Sequence, residues 1–392
     1  MEKIVHRFIK IKDLNHIAIE AKNNEDRYPF LPITEIRALA QMKNPVADKE
    51  DIGLILIYYD KKCVGYLGLL PCLLKKGTNV SKVYIFSAFF VDVDHREFKI
   101  AYRIMELAFS LGYDFFFSGY TDAFYKFSVK NPQWFKKIHD TCFLQINLDL
   151  VFPAIVKMEK KRRDVHSIFY KKPLVWFARF SLFLIRRLSK EKLIKRVYQN
   201  KRIVEYSVKN DISIKPVKKV HVFEGFVSKL FENHFYFYRN EKVINWMIKN
   251  PWISEDPAYK TNYFFSDWRK LFRYYAFEFF CNRSGDYLGF CVYSVSKKGD
   301  ITTLKILDNE VRKEENLMLI VEQSLKLSEI YSVDKMIAPD YLLETIEKVK
   351  SLKPLTIKKA NGNFLGPANN SVFPSEYQKI KLQYCDADIP FS

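Results

Sequence analysis

The chain has 392 residues, 48% of them hydrophobic and 28% charged. That excludes a disordered polymer and exceeds one ordinary core, so two to three domains are expected. With 12 Gly and 15 Pro, collagen-like and linker-dominated chains are excluded as well.

The net charge of +19 is unevenly placed: residues 151–220 hold 20 Lys+Arg against 5 Asp+Glu. The expected organisation is a unit at 1–150, a basic, partly helical connector at 151–220 and a unit at 221–392. Met1 to Lys10 has no charged start followed by an apolar run, so no secretory signal is expected. Without such a signal the six cysteines are expected to stay reduced in the cytoplasm; they form no C-x-x-C pair and the seven histidines no H-x-x-x-H, so no structural zinc is expected.

In chain order, a helical pattern runs from Ile33 to Met42 and stops at Asn44-Pro45. A β-hairpin follows, with strands at Gly53 to Tyr59 and Val64 to Leu74 around Asp60-Lys61-Lys62. Lys82 to Val93 reads as a strand. Arg96 to Leu111 has helical periodicity, with Ile100, Ile104, Leu107, Ala108 and Leu111 on one face and Gly112 as its cap. A strand at Tyr113 to Ser118, a short helix at Phe124 to Val129 and a closing strand at Cys142 to Leu150 complete the first unit.

The connector holds an apolar stretch, Pro173 to Ile185, interrupted by Arg179. It is too short to span a bilayer. It reads as a helix packed between the two units, or as a peripheral membrane contact through 173–190 with Lys and Arg at the headgroups. No Arg/aromatic interleaving marks a base-reading surface, so nucleic acid is not an expected partner.

The second unit repeats the order of the first. Val243 to Ile248 stops at Asn250-Pro251. A hairpin follows, from Tyr274 to Cys281 and from Tyr287 to Val295. Ile301 to Leu307 is a strand, Glu314 to Ile330 a helix and Lys335 to Ala338 a strand. Tyr66-Leu67-Gly68 with Lys75-Lys76-Gly77 is matched by Tyr287-Leu288-Gly289 with Lys297-Lys298-Gly299. The second copy has 15 extra residues between its Asn-Pro and its Tyr-Leu-Gly. The repeat predicts two copies of one α+β (mixed α/β) unit.

This order, with the stretch Val91-Asp92-Val93-Asp94-His95-Arg96-Glu97-Phe98-Lys99-Ile100-Ala101, resembles the GNAT acyltransferase superfamily. Its R/Q-x-x-G-x-G/A loop opens a helix after a strand. Arg96 and Ala101 match that pattern, and Lys99 stands where the first glycine is expected. The resemblance implies that each copy is a mixed, mostly antiparallel sheet with flanking helices. It covers most of 1–150 and implies a diphosphate of acetyl-CoA or another acyl-CoA on the amides at a helix start. The implied cofactor-binding residues are Val91, Val93, Arg96, Glu97, Phe98, Lys99, Ile100 and Ala101. Asp92 and His95, with Asp94 beside them, are base candidates; Asp94 reads better as a cap. The family's usual acid, a Tyr in its fourth helix, falls on Ser128 here, with Tyr125 and Tyr120 nearby and Tyr125 preferred. Gln133 replaces a glycine of the same segment.

The second copy has no such loop, Val311 to Asn316 being the nearest stretch. Its resemblance is to the fold alone and implies no CoA site. Tandem units of this kind also resemble Fem-type peptidoglycan ligases and acyltransferases of bacterial surface-polysaccharide pathways. The resemblance therefore implies N-acyl transfer to an amine, such as an amino sugar or a surface-glycan precursor. The alternatives are a binding protein that docks on anionic membrane or glycan, and a ligase using aminoacyl-tRNA. Asp386 and Asp388 read as tail residues.

Overall fold

A computed structural model describes residues 4–118, 122–137, 141–148, 205–265, 267–348, 356–362 and 364–367. The apolar stretch at 173–190, Tyr120 and the Asp386/Asp388 pair lie outside the described residues. The fold is mixed α/β and contains two mixed sheets.

The first sheet takes β1 (Ile4–Lys10), β2 (Ile52–Tyr59), β3 (Lys62–Lys76), β4 (Asn79–Val91), β5 (Phe115–Ser118) and β6 (Phe135–Lys137). Asp60 and Lys61 both have positive φ, 45° and 71°. That left-handed two-residue turn matches the twist of a hairpin. The repeated Lys-Lys-Gly has the same kind of origin. Gly77 and Gly299 take φ of 56° and 58° in the next turn of each unit, where a β-carbon would be strained.

The strand expected to close the first sheet does not lie there. It is β7 (Thr141–Asn147), paired between β13 (Lys335–Pro339) and β14 (Thr356–Gly362) in the second sheet. In return β15 (Phe364–Pro367) enters the first sheet between β5 and β6. The second sheet is completed by β8 (Ile212–Val217), β10 (Leu271–Cys281), β11 (Tyr287–Lys298) and β12 (Ile301–Val311). A further short strand, β9 (Tyr236–Tyr238), leaves the second unit to pair with β3. Alternating apolar residues make a strand but do not name its partner, so residues 142–150 read the same in either sheet.

Helices α1 (Leu14–Lys22), α2 (Glu35–Met42) and α3 (Ile100–Phe109) belong to the first unit, as does α4 (Asp122–Lys130). The second carries α5 (Tyr206–Lys209), α6 (Phe226–Leu230), α7 (Glu241–Lys249), α8 (Leu317–Ile330) and α9 (Leu343–Glu347). Thr34 caps α2 and Asn240 caps α7, each through a side-chain oxygen that accepts from the third following amide; this satisfies a donor the helix start leaves open.

One core joins the two units. Ala40, Leu70, Ile85 and Phe116 pack with Phe237, Trp246, Phe290 and Leu307. The Trp246 indole donates to the Ala40 carbonyl at 2.8 Å, linking α7 to α2. Among the described residues, no helix is long and apolar enough to cross a membrane.

Trp246→Phe keeps most of the ring but strands that carbonyl. We expect a loss of about 1–3 kcal/mol, read from urea unfolding. A change within about 0.5 kcal/mol would show that the link is dispensable.

Candidate active site at the bulge of the first sheet

The parallel pairing of β4 with β5 is short: Tyr84 to Phe86 against Phe115 to Phe117. β4 runs on to Val91, now paired only with β3. The register slips between Gly68 and Leu69, so that Ser87 is the extra residue of a bulge. A bulge bends its strand and increases the local twist. Here it falls where β4 parts from β5, and the backbone from Ser87 to Val91 has no β5 beside it.

Arg37 holds the bulge. It is 6% exposed and donates to the Ser87 carbonyl at 2.7 Å and to the Tyr263 hydroxyl at 3.0 Å. Its guanidinium also lies 4.1 Å from the Trp252 ring centroid, a favourable cation–π distance. Trp252 and Tyr263 belong to the long connection between α7 and β10, where the second copy carries its extra residues. Beside Arg37, the buried Tyr66 hydroxyl, Ser87 hydroxyl and Gln41 side-chain oxygen have no hydrogen-bond partner among the described residues. Such atoms call for a water or a ligand. Burial pushes the Tyr66 phenol well above its ordinary value.

On the other face, the helix expected from Arg96 begins only at Ile100. Residues Val93–Phe98 form a 3-10 turn instead. Lys99 then adopts the left-handed conformation, φ 56° and ψ 27°, which glycine tolerates best. The backbone thus makes the turn that the glycine of the pattern would make, and the Lys99 side chain is exposed and does not cap α3. The first amides of α3 have no partner within the helix. Gly65 brings α3 close to the sheet: a β-carbon there would meet Ile100 and Ile104 at 3.1 Å.

The predicted residues fall as follows. Asp92 caps the 3-10 turn through the Asp94 amide and faces His95 Nδ1 at 3.0 Å. Asp94 and Arg96 are exposed, as is Val93. Only the backbones of Glu97 and Phe98 are described. The Ile100 side chain is fully buried in the core and is not open to a ligand. Tyr125 is 40% exposed. Ser128 is buried, and its hydroxyl donates to the Tyr125 carbonyl. Phe124 stacks on Phe117 at 4.2 Å and meets Phe89 at 5.5 Å, so phenyl rings line the inner end of the wedge between β4 and β5.

Sequence reasoning missed Arg37, Ser87, Tyr66 and Gln41. The readable signal was Arg37 and Gln41, one turn apart on a helix whose other residues are mostly apolar or small.

The second sheet has the same device. Parallel pairing of β12 with β13 ends at Lys305 and Ile337, and Leu307 is the extra residue of a bulge. Counted from the bulges, Glu310 corresponds to Phe90, and their partners are Phe290 and Tyr66. The two Tyr-Leu-Gly copies are therefore three residues out of register with one another.

No family model matches the chain, and no curated protein matches it. Solved structures do. A GCN5-related N-acetyltransferase from Anabaena variabilis is similar at 11% identity and a TM-score of 0.48, over 94% of this chain and 73% of that one. A protein from Enterococcus faecalis described as a probable N-acyltransferase gives 9%, 0.44, 93% and 72%. A GCN5-related N-acetyltransferase from Kribbella flavida gives 7%, 0.47, 93% and 71%. Scores and identities this low have no bearing on substrate or residue roles.

Lys99→Gly should relieve the left-handed strain and stabilise the protein by up to about 1 kcal/mol, whereas Lys99→Val should cost about 1–2 kcal/mol. Thermal unfolding of the pair measures both. A valine that costs nothing would mean the turn at 99 is not held.

Proposed function

We propose that the protein transfers an acyl group from an acyl-CoA, such as acetyl-CoA, to an amine, at the bulge of the first sheet. One observation carries this. A strand leaves its neighbour at Ser87, beside an uncapped helix start whose left-handed turn is made by Lys99. The residues present fit the diphosphate. First-turn amides of α3 and the helix dipole favour an anion, and the exposed Arg96 and Lys99 add positive charge nearby.

When bound, the cofactor supplies a thioester as acyl donor. The protein's own groups do the rest. The β4 backbone beyond Ser87, around Phe90 and Val91, offers an amide for the oxygen that gains charge. Asp92 orients the His95 ring through Nδ1, a usual way to fix a tautomer for proton transfer from an amine. Tyr125 would return a proton to the departing sulfur. An amino sugar or a surface-glycan precursor suits the proposed acceptor, and 173–190 is the proposed peripheral membrane contact.

A second reading, binding without transfer, is favoured by the rings of Phe89, Phe117 and Phe124 in the wedge. Calorimetry with acetyl-CoA tests both. The transfer reading expects a dissociation constant below about 1 mM and thiol release when glucosamine is added. Arg96→Glu should weaken binding about tenfold, or 1.4 kcal/mol. No binding by the wild type would sink the cofactor reading; binding without thiol release for any amine tried would favour the second.

A further inference from the structure

The second unit has a cleft of about 170 Å³ next to its own bulge. Its floor is the end of β12, Asp308 to Glu310, and Phe223, Tyr236 and Tyr238 supply its aromatic walls. Gly225 lets the loop before α6 close onto β12, since a β-carbon there would meet the Val311 carbonyl at 2.5 Å. Glu310 is 5% exposed. Its carboxylate accepts from the Val227 amide at 2.7 Å and from the Ser228 amide at 3.1 Å, and it also takes the Ser228 hydroxyl.

The cleft is not the acceptor side of the first unit's site. Gly65 of β3 lies opposite Val91. Ten residues along the same strand, Lys75 pairs with Glu224 on the cleft wall. At about 3.3 Å per residue these points are roughly 30 Å apart. At the matching place in the first unit, rings fill the space: Phe90 packs against Phe30 and Phe264. The two bulges are therefore built for different contents.

We propose that this cleft binds a small primary ammonium ion, held by the Glu310 carboxylate and the surrounding aromatic faces. The chemistry follows from the lining. Among the described residues, three acidic residues line the cleft, Glu224, Asp308 and Glu310, against one basic residue, Arg239. Arg239 is bound to Asp308, and Lys75 to Glu224. The Tyr238 ring already carries the Lys75 ammonium at 4.7 Å, so Phe223 and Tyr236 are the faces offered to a further cation, whereas a phosphate would meet the acidic side chains. The ligand need not be a substrate, and the site stands apart from the thioester reading.

Burial is the chief reason that Glu310 titrates at about 7, while its Ser228 and Val227 donors pull the other way. The other titratable groups around it, among the described residues, are Asp308 on its own strand, Tyr236, Tyr238 and Arg239 from the β9 segment, Glu224 and its partner Lys75, and Tyr341 from beyond β13. An alkylammonium stays charged to about pH 10. Affinity should therefore rise as Glu310 loses its proton, being about tenfold weaker at pH 6 than at pH 8.5.

Calorimetric titration of the full chain with n-butylamine, against n-butanol as an uncharged control, tests this. We expect butylamine to bind, butanol not to, and the pH ratio just given. Glu310→Gln keeps an oxygen for Val227 and Ser228 and should weaken butylamine at least tenfold. Should that variant fail to fold, Phe223→Leu removes one wall and should weaken binding about threefold. Equal binding of butanol, an unchanged affinity in both variants, or no heat with butylamine at pH 8.5 would overturn the proposal. Acetyl-CoA titrated into the same protein reports on the first unit separately, so either reading can fail alone.

Discussion

A single extra residue in a strand governs the first unit. The bulge at Ser87 falls directly after the last β4–β5 pair, Phe86 with Phe117, and β5 ends one residue later at Ser118, so β4 runs on to Val91 without that neighbour. A bulge leaves backbone groups unpaired, which costs free energy in a buried strand. Arg37 offsets that cost by donating to the Ser87 carbonyl. A buried guanidinium is itself expensive unless its donors are engaged. The Tyr263 hydroxyl and the Trp252 face meet that need, and both come from the other half of the chain. The opening in one sheet thus depends on side chains supplied by the second unit.

The exchange of strands extends the same dependence to the backbone hydrogen bonds of both sheets. β7 lies in the second sheet and β15 in the first. Neither sheet is complete from its own stretch of chain, and the core around Trp246 takes residues from both. Two units that merely followed one another could drift apart by a hinge. Units that hold each other's strands keep a fixed relation, so a residue such as Tyr263 can serve a site more than 170 positions earlier in sequence.

Much of the fold was legible because it rests on local physics. The helix from Ile100 was visible in the spacing of Ile100, Ile104 and Leu107, and the hairpins in their turn residues. The start of that helix was misread by four positions, since no spacing shows that Lys99 will adopt φ 56°. The partner of 142–150 was illegible, because strand pairing between distant segments leaves no local mark. β1, Ile4–Lys10, was missed because its charged residues mask the alternation. At the candidate site, Asp92 and His95 were legible as a polar strand end and do meet each other. Ser87 was not, for a bulge has no signature when its extra residue is not glycine; Arg37 left a faint one, with Gln41 one turn on, that does not say what it holds.

Comparing the two bulges separates what the fold demands from what a ligand demands. Both sheets keep a short parallel ladder, an extra residue and a following helix, so these belong to the architecture. The side chains beyond the bulge differ in kind. The first unit has Ala88, Phe89 and Phe90, and the second has Asp308, Asn309 and Glu310. Carboxylates in a buried strand end lower stability unless something answers them. Arg239 answers Asp308, and the start of α6 answers both oxygens of Glu310 through the Val227 and Ser228 donors. The Tyr341 hydroxyl meets the Asn309 side chain and so bridges the second wedge where rings occupy the first. Packing alone would be served as well by phenylalanines at these places, as the first unit demonstrates. The polar side chains of the second unit instead tie β12 to its surroundings, Glu310 to the start of α6, Asp308 to Arg239 and Asn309 to Tyr341, which phenylalanines could not do.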